Sequence, residues 1–202
     1  MFKLVYPIFK RVILVLVKLF SKEVKGLENI PKKGPFIVAA NHNSILDGFL
    51  LGYYVLKKTD QKIHFIAYRG RFNFFGNFLI KKWAGCILVR YNKKEISAAM
   101  KEAVSILKKG GVIGIFPTAA HSDLSKFKTG VARIALTAQC PVLPVIIKGT
   151  EEIMPMPSLI PRRIRHASIE YKKLMTFKKT QKNVNLVTQK IAQVISHGLK
   201  EE

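Results

Sequence analysis

Short apolar runs recur along the chain, separated by stretches in which apolar residues return at helical spacing. Phe36–Ala40, Ile63–Tyr68, Cys86–Arg90, Val112–Phe116 and Val142–Ile147 are near-continuously apolar and of strand length, the pattern of strands covered on both faces. Ala167–Leu174 alternates instead, which suits a strand with one exposed face. Ile45–Lys57, Phe74–Lys82, Lys94–Lys108, Phe127–Ala138 and Val184–His197 read as the intervening helices. Doubly covered strands need helices on both faces, so the pattern predicts an α/β fold: one domain with a largely parallel or mixed central sheet flanked by helices. A chain of 202 residues suits one such domain. Gly26–Gly34, GLENIPKKG, has the Gly, Pro and charge content of a linker. It divides an N-terminal segment, residues 1–25, from a domain over residues 26–202.

The N-terminal segment changes the picture. Residues 2–20, FKLVYPIFKRVILVLVKLF, are strongly apolar, but Lys10 and Arg11 leave Val12–Val17 as the uninterrupted run. A membrane span needs about 20 mostly apolar residues, and no small-residue cleavage site follows as a signal peptide would require. At about 100° per residue, Lys3, Lys10, Arg11, Lys18 and Lys22 fall within an arc of about 120°, interrupted by Pro7 and Leu14. A cationic stripe beside a broad apolar face describes an amphipathic helix lying in a membrane interface. A terminal helix packed on the domain, with its lysines in water, is the other reading.

Charge then narrows the partners. Thirty-five Lys and Arg oppose twelve Asp and Glu, a net charge of +23, and such a surface seeks a polyanion. A nucleic-acid binder would need a basic–aromatic sheet surface or a recognisable motif, and the chain carries neither. The expected partner is an anionic membrane surface, with the protein peripheral at the cytoplasmic face of the cell membrane. Cys86 and Cys140 sit in apolar runs without paired or zinc-like spacing, as buried thiols of a reducing compartment do. Two further stretches stand out. Arg69–Leu79, RGRFNFFGNFL, reads as a second membrane contact, an acyl-chain wall or an ordinary buried helix. Pro161–His166, PRRIRH, reads as a grip on lipid phosphates or a solvated loop.

Ligands of sheets of this kind collect at the carboxyl ends of the strands. Three predicted strand ends carry chemistry: Asn41 and His42 after the first, Arg90 closing the third, and Pro117–Ser122 after the fourth. A histidine just past a buried strand can act as a general base if a carboxylate holds its other ring nitrogen. Asp47 can do so only if His42 lies in the turn and Asp47 in the first turn of the helix. Ser44 and Asp47 also spell a capping box, which accounts for those two residues and leaves Asn41 and His42 without a role.

These residues carry a resemblance. KKGPFIVAANHNSILDGFLL resembles the first signature block of the glycerophospholipid acyltransferases, which include the lysophosphatidic acid acyltransferases; Asn41, His42 and Asp47 match its Asn-His-four residues-Asp pattern. Gly85–Arg90 is similar to the second block, an apolar strand ending in Arg. Gly110–Pro117 with Ser122 is similar to the third, and Pro141–Val145 to the fourth. Phe127-Lys128-Thr129-Gly130 stands where the family has a Phe-Lys-x-Gly stretch.

The resemblance implies transfer of a fatty acyl group from a coenzyme A or acyl carrier protein thioester to a hydroxyl of a glycerol-phosphate-type lyso-lipid, lysophosphatidic acid first among them. His42 would be the base and Asp47 would orient it, while Asn41, Arg90, Thr118, His121, Ser122 and Lys128 would bind the acceptor. It implies no cofactor beyond the thioester co-substrate. One block departs from the pattern: Thr118-Ala119-Ala120-His121 stands where the family has Glu-Gly-Thr-Arg. Thr118 supplies no charge, so the implied phosphate clamp shrinks to Arg90 and Lys128 with backbone N–H groups assisting. That departure leaves two alternatives open, an acyltransferase for a different lyso-lipid and a lipid-binding member that transfers nothing.

Overall fold

A computed structural model of the chain describes residues 15, 17–68, 85–90, 92–118, 127–156, 158, 160–178, 180–181 and 183–200. Seven strands, β1 (Ser21–Lys25), β2 (Phe36–Ala40), β3 (Ile63–Tyr68), β4 (Ile87–Val89), β5 (Val112–Ile115), β6 (Val142–Lys148) and β7 (Ala167–Tyr171), form one sheet. Their order is β1-β7-β6-β2-β5-β3-β4. The strands from β6 to β4 are mutually parallel. β7 runs antiparallel to β6, and β1 runs parallel to β7. The sheet is therefore mixed and mostly parallel.

Among the described residues, α1 (Leu46–Thr59), α2 (Lys93–Lys108), α3 (Gly130–Ala138) and the short α4 (Thr150–Ile153) lie between strands, and α5 (Val184–Lys200) follows the last of them. β2 lies at the centre, and alternate residues along it enter opposite cores. Phe36, Val38 and Ala40 meet Leu50, Leu51 and Val55 of α1, together with Phe20, Ile153 and Tyr171. Ile37 and Ala39 meet Ala103 and Leu107 of α2, Val131 and Ile134 of α3, and Ile191 and Ile195 of α5. Side chains alternate across a strand, so a strand covered on both faces must be apolar at every position. No position of β2 is exposed.

The apolar runs of the sequence become strands, with Ala167–Leu174 shortened to β7. Among the helices, α3 starts at Gly130 rather than Phe127, and α5 continues to Lys200. β1 and α4 have no counterpart in the sequence pattern. The residues of β1, SKEVK, are mostly polar because it is an edge strand paired only with β7. It lies within the stretch assigned from sequence to the N-terminal segment, and Val17 and Phe20 just before it are buried. Gly26–Gly34 holds a 3-10 turn at Leu27–Asn29 and the buried Ile30, so it is packed on the domain rather than an open linker. The expected helix over Phe74–Lys82, the whole Arg69–Leu79 stretch and residues 1–14 lie outside the described residues. Among the described residues no helix is long and apolar enough to cross a membrane.

Gly114 on β5 pairs with Phe65 on β3. A Cβ at Gly114 would overlap the Phe65 ring and crowd Ile63, so the missing side chain is what lets the aromatic ring lie across the sheet. Gly114→Ala should cost about 1–3 kcal/mol through overpacking. In a chain of this size that is a fall in Tm of about 2–12 °C, readable by differential scanning calorimetry.

Candidate active site

The parallel strands bring the ends of β2, β5, β6, β3 and β4 to one edge of the sheet. Asn41 is the first residue past β2. Its Nδ2 donates to the Ile147 carbonyl at 2.6 Å, and its Oδ1 accepts the Ile147 N–H at 2.8 Å. The side chain thus extends the pairing of β2 with β6 by one step. Only 1% of Asn41 is exposed. This corrects the expectation that Asn41 binds substrate: both amide atoms are committed to the backbone, and the residue aims the turn that follows.

That turn carries the reactive pair. His42 Nδ1 lies 2.9 Å from Asp47 Oδ2. The same oxygen accepts the N–H groups of Asn43 at 2.7 Å and Ser44 at 2.8 Å. The other carboxylate oxygen, Oδ1, accepts the Thr150 hydroxyl at 2.6 Å. Asp47 is fully buried, and a buried carboxylate needs this number of donors to offset its lost hydration. A carboxylate only accepts, so Nδ1 of His42 carries a proton, and in the neutral ring Nε2 then holds the free lone pair. The imidazole is 20% exposed. Its face stacks on Phe116 at 4.2 Å with an interplanar angle of 18°, and Phe116 stacks in turn on Phe65. Held at one edge by Asp47 and on one face by Phe116, the ring has little freedom, as a positioned base requires.

The capping reading holds in part: α1 begins at Leu46 after Ile45, which makes no side-chain cap bond, and the capping bonds centre on Ser44 one residue earlier. Ser44 Oγ accepts the Leu46 N–H at 3.2 Å while Asp47 accepts that of Ser44. One carboxylate therefore caps α1 and orients His42. Ser44 Oγ also donates to the Met154 carbonyl at 2.7 Å, which fastens the turn to the segment after α4.

The remaining expected site residues spread along the same edge. Thr118, past the end of β5, is 4% exposed, and its hydroxyl has no hydrogen-bond partner among the described residues. The Lys128 N–H donates to the Pro117 carbonyl at 3.0 Å, which holds the exposed Lys128 beside the same strand end. Arg90 is exposed past β4, three strands from β2, a separation of about 14 Å at strand spacing. His121 and Ser122 lie outside the described residues. Sequence reasoning missed Thr150 and Phe116. Thr150 follows Gly149 at the end of β6, so a hydroxyl just past a buried strand on this edge was the available signal. Phe116 closes an apolar run and looks like core.

The cysteines stand apart from this chemistry. Burial pushes both thiols up, that of Cys140 to about 12, which removes the thiolate a nucleophile needs.

The sequence pattern that defines the Acyltransferase family matches residues 21–148, from β1 through β6 and across every part of the site just described except Thr150. The chain belongs to the Acyltransferase family. Its similarity to individual acyltransferases is distant. It is 30% identical over 145 residues to the chloroplastic 1-acyl-sn-glycerol-3-phosphate acyltransferase BAT2 of Brassica napus, covering 67% of this chain and 40% of that one. It is 31% identical over 153 residues to a probable 1-acyl-sn-glycerol-3-phosphate acyltransferase of Mycoplasma pneumoniae, covering 70% and 56%. The chain thus matches about half the length of these curated relatives. The crystal structure of the 1-acyl-sn-glycerophosphate acyltransferase from Thermotoga maritima superposes with a TM-score of 0.73 at 26% identity, over 95% of this chain and 75% of that one. The mixed sheet agrees with the fold of that acyltransferase.

The geometry around Asp47 and the buried thiols can each be tested. Thr150→Val keeps the shape of the side chain but leaves Asp47 Oδ1 without a partner. It should lower kcat about tenfold with little change in KM, the size of one charge-assisted hydrogen bond, and Thr150→Ser should restore it in steady-state assays. Native protein treated with iodoacetamide at pH 8 should stay unmodified at Cys86 and Cys140 by mass spectrometry, and the unfolded protein should label at both.

Proposed function

We propose that the chain transfers a fatty acyl group from a coenzyme A or acyl carrier protein thioester to the free hydroxyl of a glycerol-phosphate-type lyso-lipid, with lysophosphatidic acid as acceptor and phosphatidic acid as product. The observation that carries this reading is the His42–Asp47 pair, with Nδ1 bound to a buried carboxylate and Nε2 left to act. The names of the relatives, at about 30% identity, support the choice of acceptor.

Nε2 takes the proton of the acceptor hydroxyl as its oxygen attacks the thioester carbonyl. Asp47 stabilises the imidazolium that forms. The tetrahedral intermediate then collapses, the C–S bond breaks, and the leaving thiolate recovers the proton from His42. A positioned base supplies about 10²–10⁴-fold of the acceleration, so donors to the developing oxyanion must supply more. Arg90 and Lys128 are the cations of this edge to which we assign the acceptor's phosphate, and it is their long side chains that must reach toward the base, because hydroxyl and phosphate lie on neighbouring glycerol carbons. The cationic N-terminal segment, residues 1–25, is the membrane-associating part of this reading and keeps the protein peripheral at the cytoplasmic face.

A second reading has its own support. Thr118 is buried and neutral where the family has an acidic residue, which favours a changed acceptor, or lipid binding without transfer, over a changed chemical step.

The deciding experiment incubates the protein with a labelled acyl thioester and a panel of lyso-lipids, with products read by mass spectrometry. Phosphatidic acid should dominate. His42→Ala should reduce the rate at least about 10²-fold with the circular dichroism spectrum unchanged, and Arg90→Ala should raise KM for phosphate-bearing acceptors. A folded His42→Ala protein with undiminished turnover would overturn the mechanism, and a different favoured product would move the acceptor assignment.

A further inference from the structure

β7 runs opposite to β6, and β1 lies beside β7. The chain entering each of these two strands therefore stands on the edge that carries His42. Residues 160–166 lead into β7, and the helical residues 15 and 17–20 lead into β1. The two approaches are joined before the strands begin: the Arg165 N–H donates to the Leu19 carbonyl at 2.8 Å, and the His166 N–H to the Phe20 carbonyl at 3.1 Å.

This double approach gathers exposed apolar side chains. Ile160 is 76% exposed, Val15 61%, Ile164 57% and Leu19 39%, half of the eight large apolar residues exposed among those described. Single exposed apolar residues are ordinary, but four on two adjoining segments make a patch. Val15 and Leu19 are four residues apart, one helical turn, and so face the same way. Their neighbours Val17 and Phe20 are buried in the core, which fixes the exposed side of this stretch outward.

Cations are interleaved with these side chains. Arg162, Arg163 and Arg165 are exposed around Ile164, and Lys18 and Lys22 are exposed on the other approach. Glu152 pairs with both Arg163 at 2.7 Å and His166 at 3.1 Å, so this acidic group offsets only part of the charge. Exposed arginines and isoleucines interleaved along one short segment need a partner that offers anionic and apolar surface together. An anionic phospholipid surface does so, with phosphates at the depth of the guanidinium groups and acyl chains just below. A nucleic-acid backbone would match the arginines and leave the isoleucines in water.

We propose that Ile160, Ile164, Val15 and Leu19, framed by Arg162 and Arg165, form a shallow insertion face for an anionic phospholipid bilayer. The face sets the edge carrying His42 against the membrane, so an acceptor can reach the base without leaving the lipid phase. The membrane contact is then built from two distant parts of the chain. The proposal rests on the acyl-transfer reading only for the identity of what the membrane delivers.

Flotation of the full chain with phosphatidylcholine vesicles, with and without phosphatidylglycerol, tests it. Ile160→Asp combined with Ile164→Asp should weaken partition onto the anionic vesicles at least tenfold, and Arg162→Gln combined with Arg165→Gln should remove most of the preference for phosphatidylglycerol. Turnover of a short-chain acceptor below its micelle concentration should stay within twofold in both variants. Ile160→Trp should bind more tightly and show a blue-shifted fluorescence on adding anionic vesicles. Unchanged partition of the Asp variant, or no shift from the Trp variant, overturns the proposal. So does displacement of all four proteins from vesicles by oligonucleotide with equal ease. If the wild type turns over no acceptor, the acyl-transfer reading fails, while the partition data still decide the face.

Discussion

A carboxylate without access to water holds together the edge that carries His42. Asp47 accepts from His42, from the N–H groups of Asn43 and Ser44, and from the Thr150 hydroxyl. These donors come from separate parts of the structure, namely the reactive imidazole, the turn after β2, the cap of α1 and the start of α4. Remove the carboxylate and buried donors lose their partner at once, at a cost of about 1–3 kcal/mol for each one left unsatisfied. The same group that holds the His42 ring therefore makes the turn a turn. That coupling explains how the capping bonds and the His42–Asp47 pair occupy the same residues without conflict.

Legibility from sequence followed the range of each interaction. β2 was readable because burial on both faces demands an unbroken apolar run, and the His42–Asp47 pair because a turn and a helix start lie within the same few residues. β1 was not, since an edge strand paired on one side only can be polar, and SKEVK has no periodic signal. Thr150 reaches Asp47 across 103 positions of sequence; its place just past a buried strand marks the edge it stands on but not its partner. Asn41 was assigned to substrate because a signature pattern records which residues matter and not which way they point. Its amide serves Ile147 instead, and that is equally a reason for a fixed residue at that position.

The mixed sheet has a consequence that an all-parallel one would lack. Because β7 is reversed, the chain enters it from the edge where β2, β5 and β6 end, and β1 starts from that same edge. Two connections that would otherwise lie at the opposite end of the sheet are brought beside the base. A soluble α/β enzyme uses that edge for loops that enclose a small substrate. For a lipid acceptor the useful addition is contact with the phase in which the acceptor dissolves, and the reversed strands supply the position for it.

The altered block at the end of β5 acts on a different part of the problem. Phe116 stacks against His42 and in turn on Phe65, for which Gly114 makes room, so β5 supports the base whatever follows it. Thr118 comes two residues later, buried and with its hydroxyl unpartnered among the described residues. An acidic side chain in that position would need a cation beside it to offset its desolvation, and threonine needs none. Losing the charge therefore leaves the fold of the strand end and the support of His42 intact, while removing a group that could have met a polar acceptor. The His42–Asp47 pair and Thr118 follow neighbouring strands but draw on separate interactions, so one can change without the other.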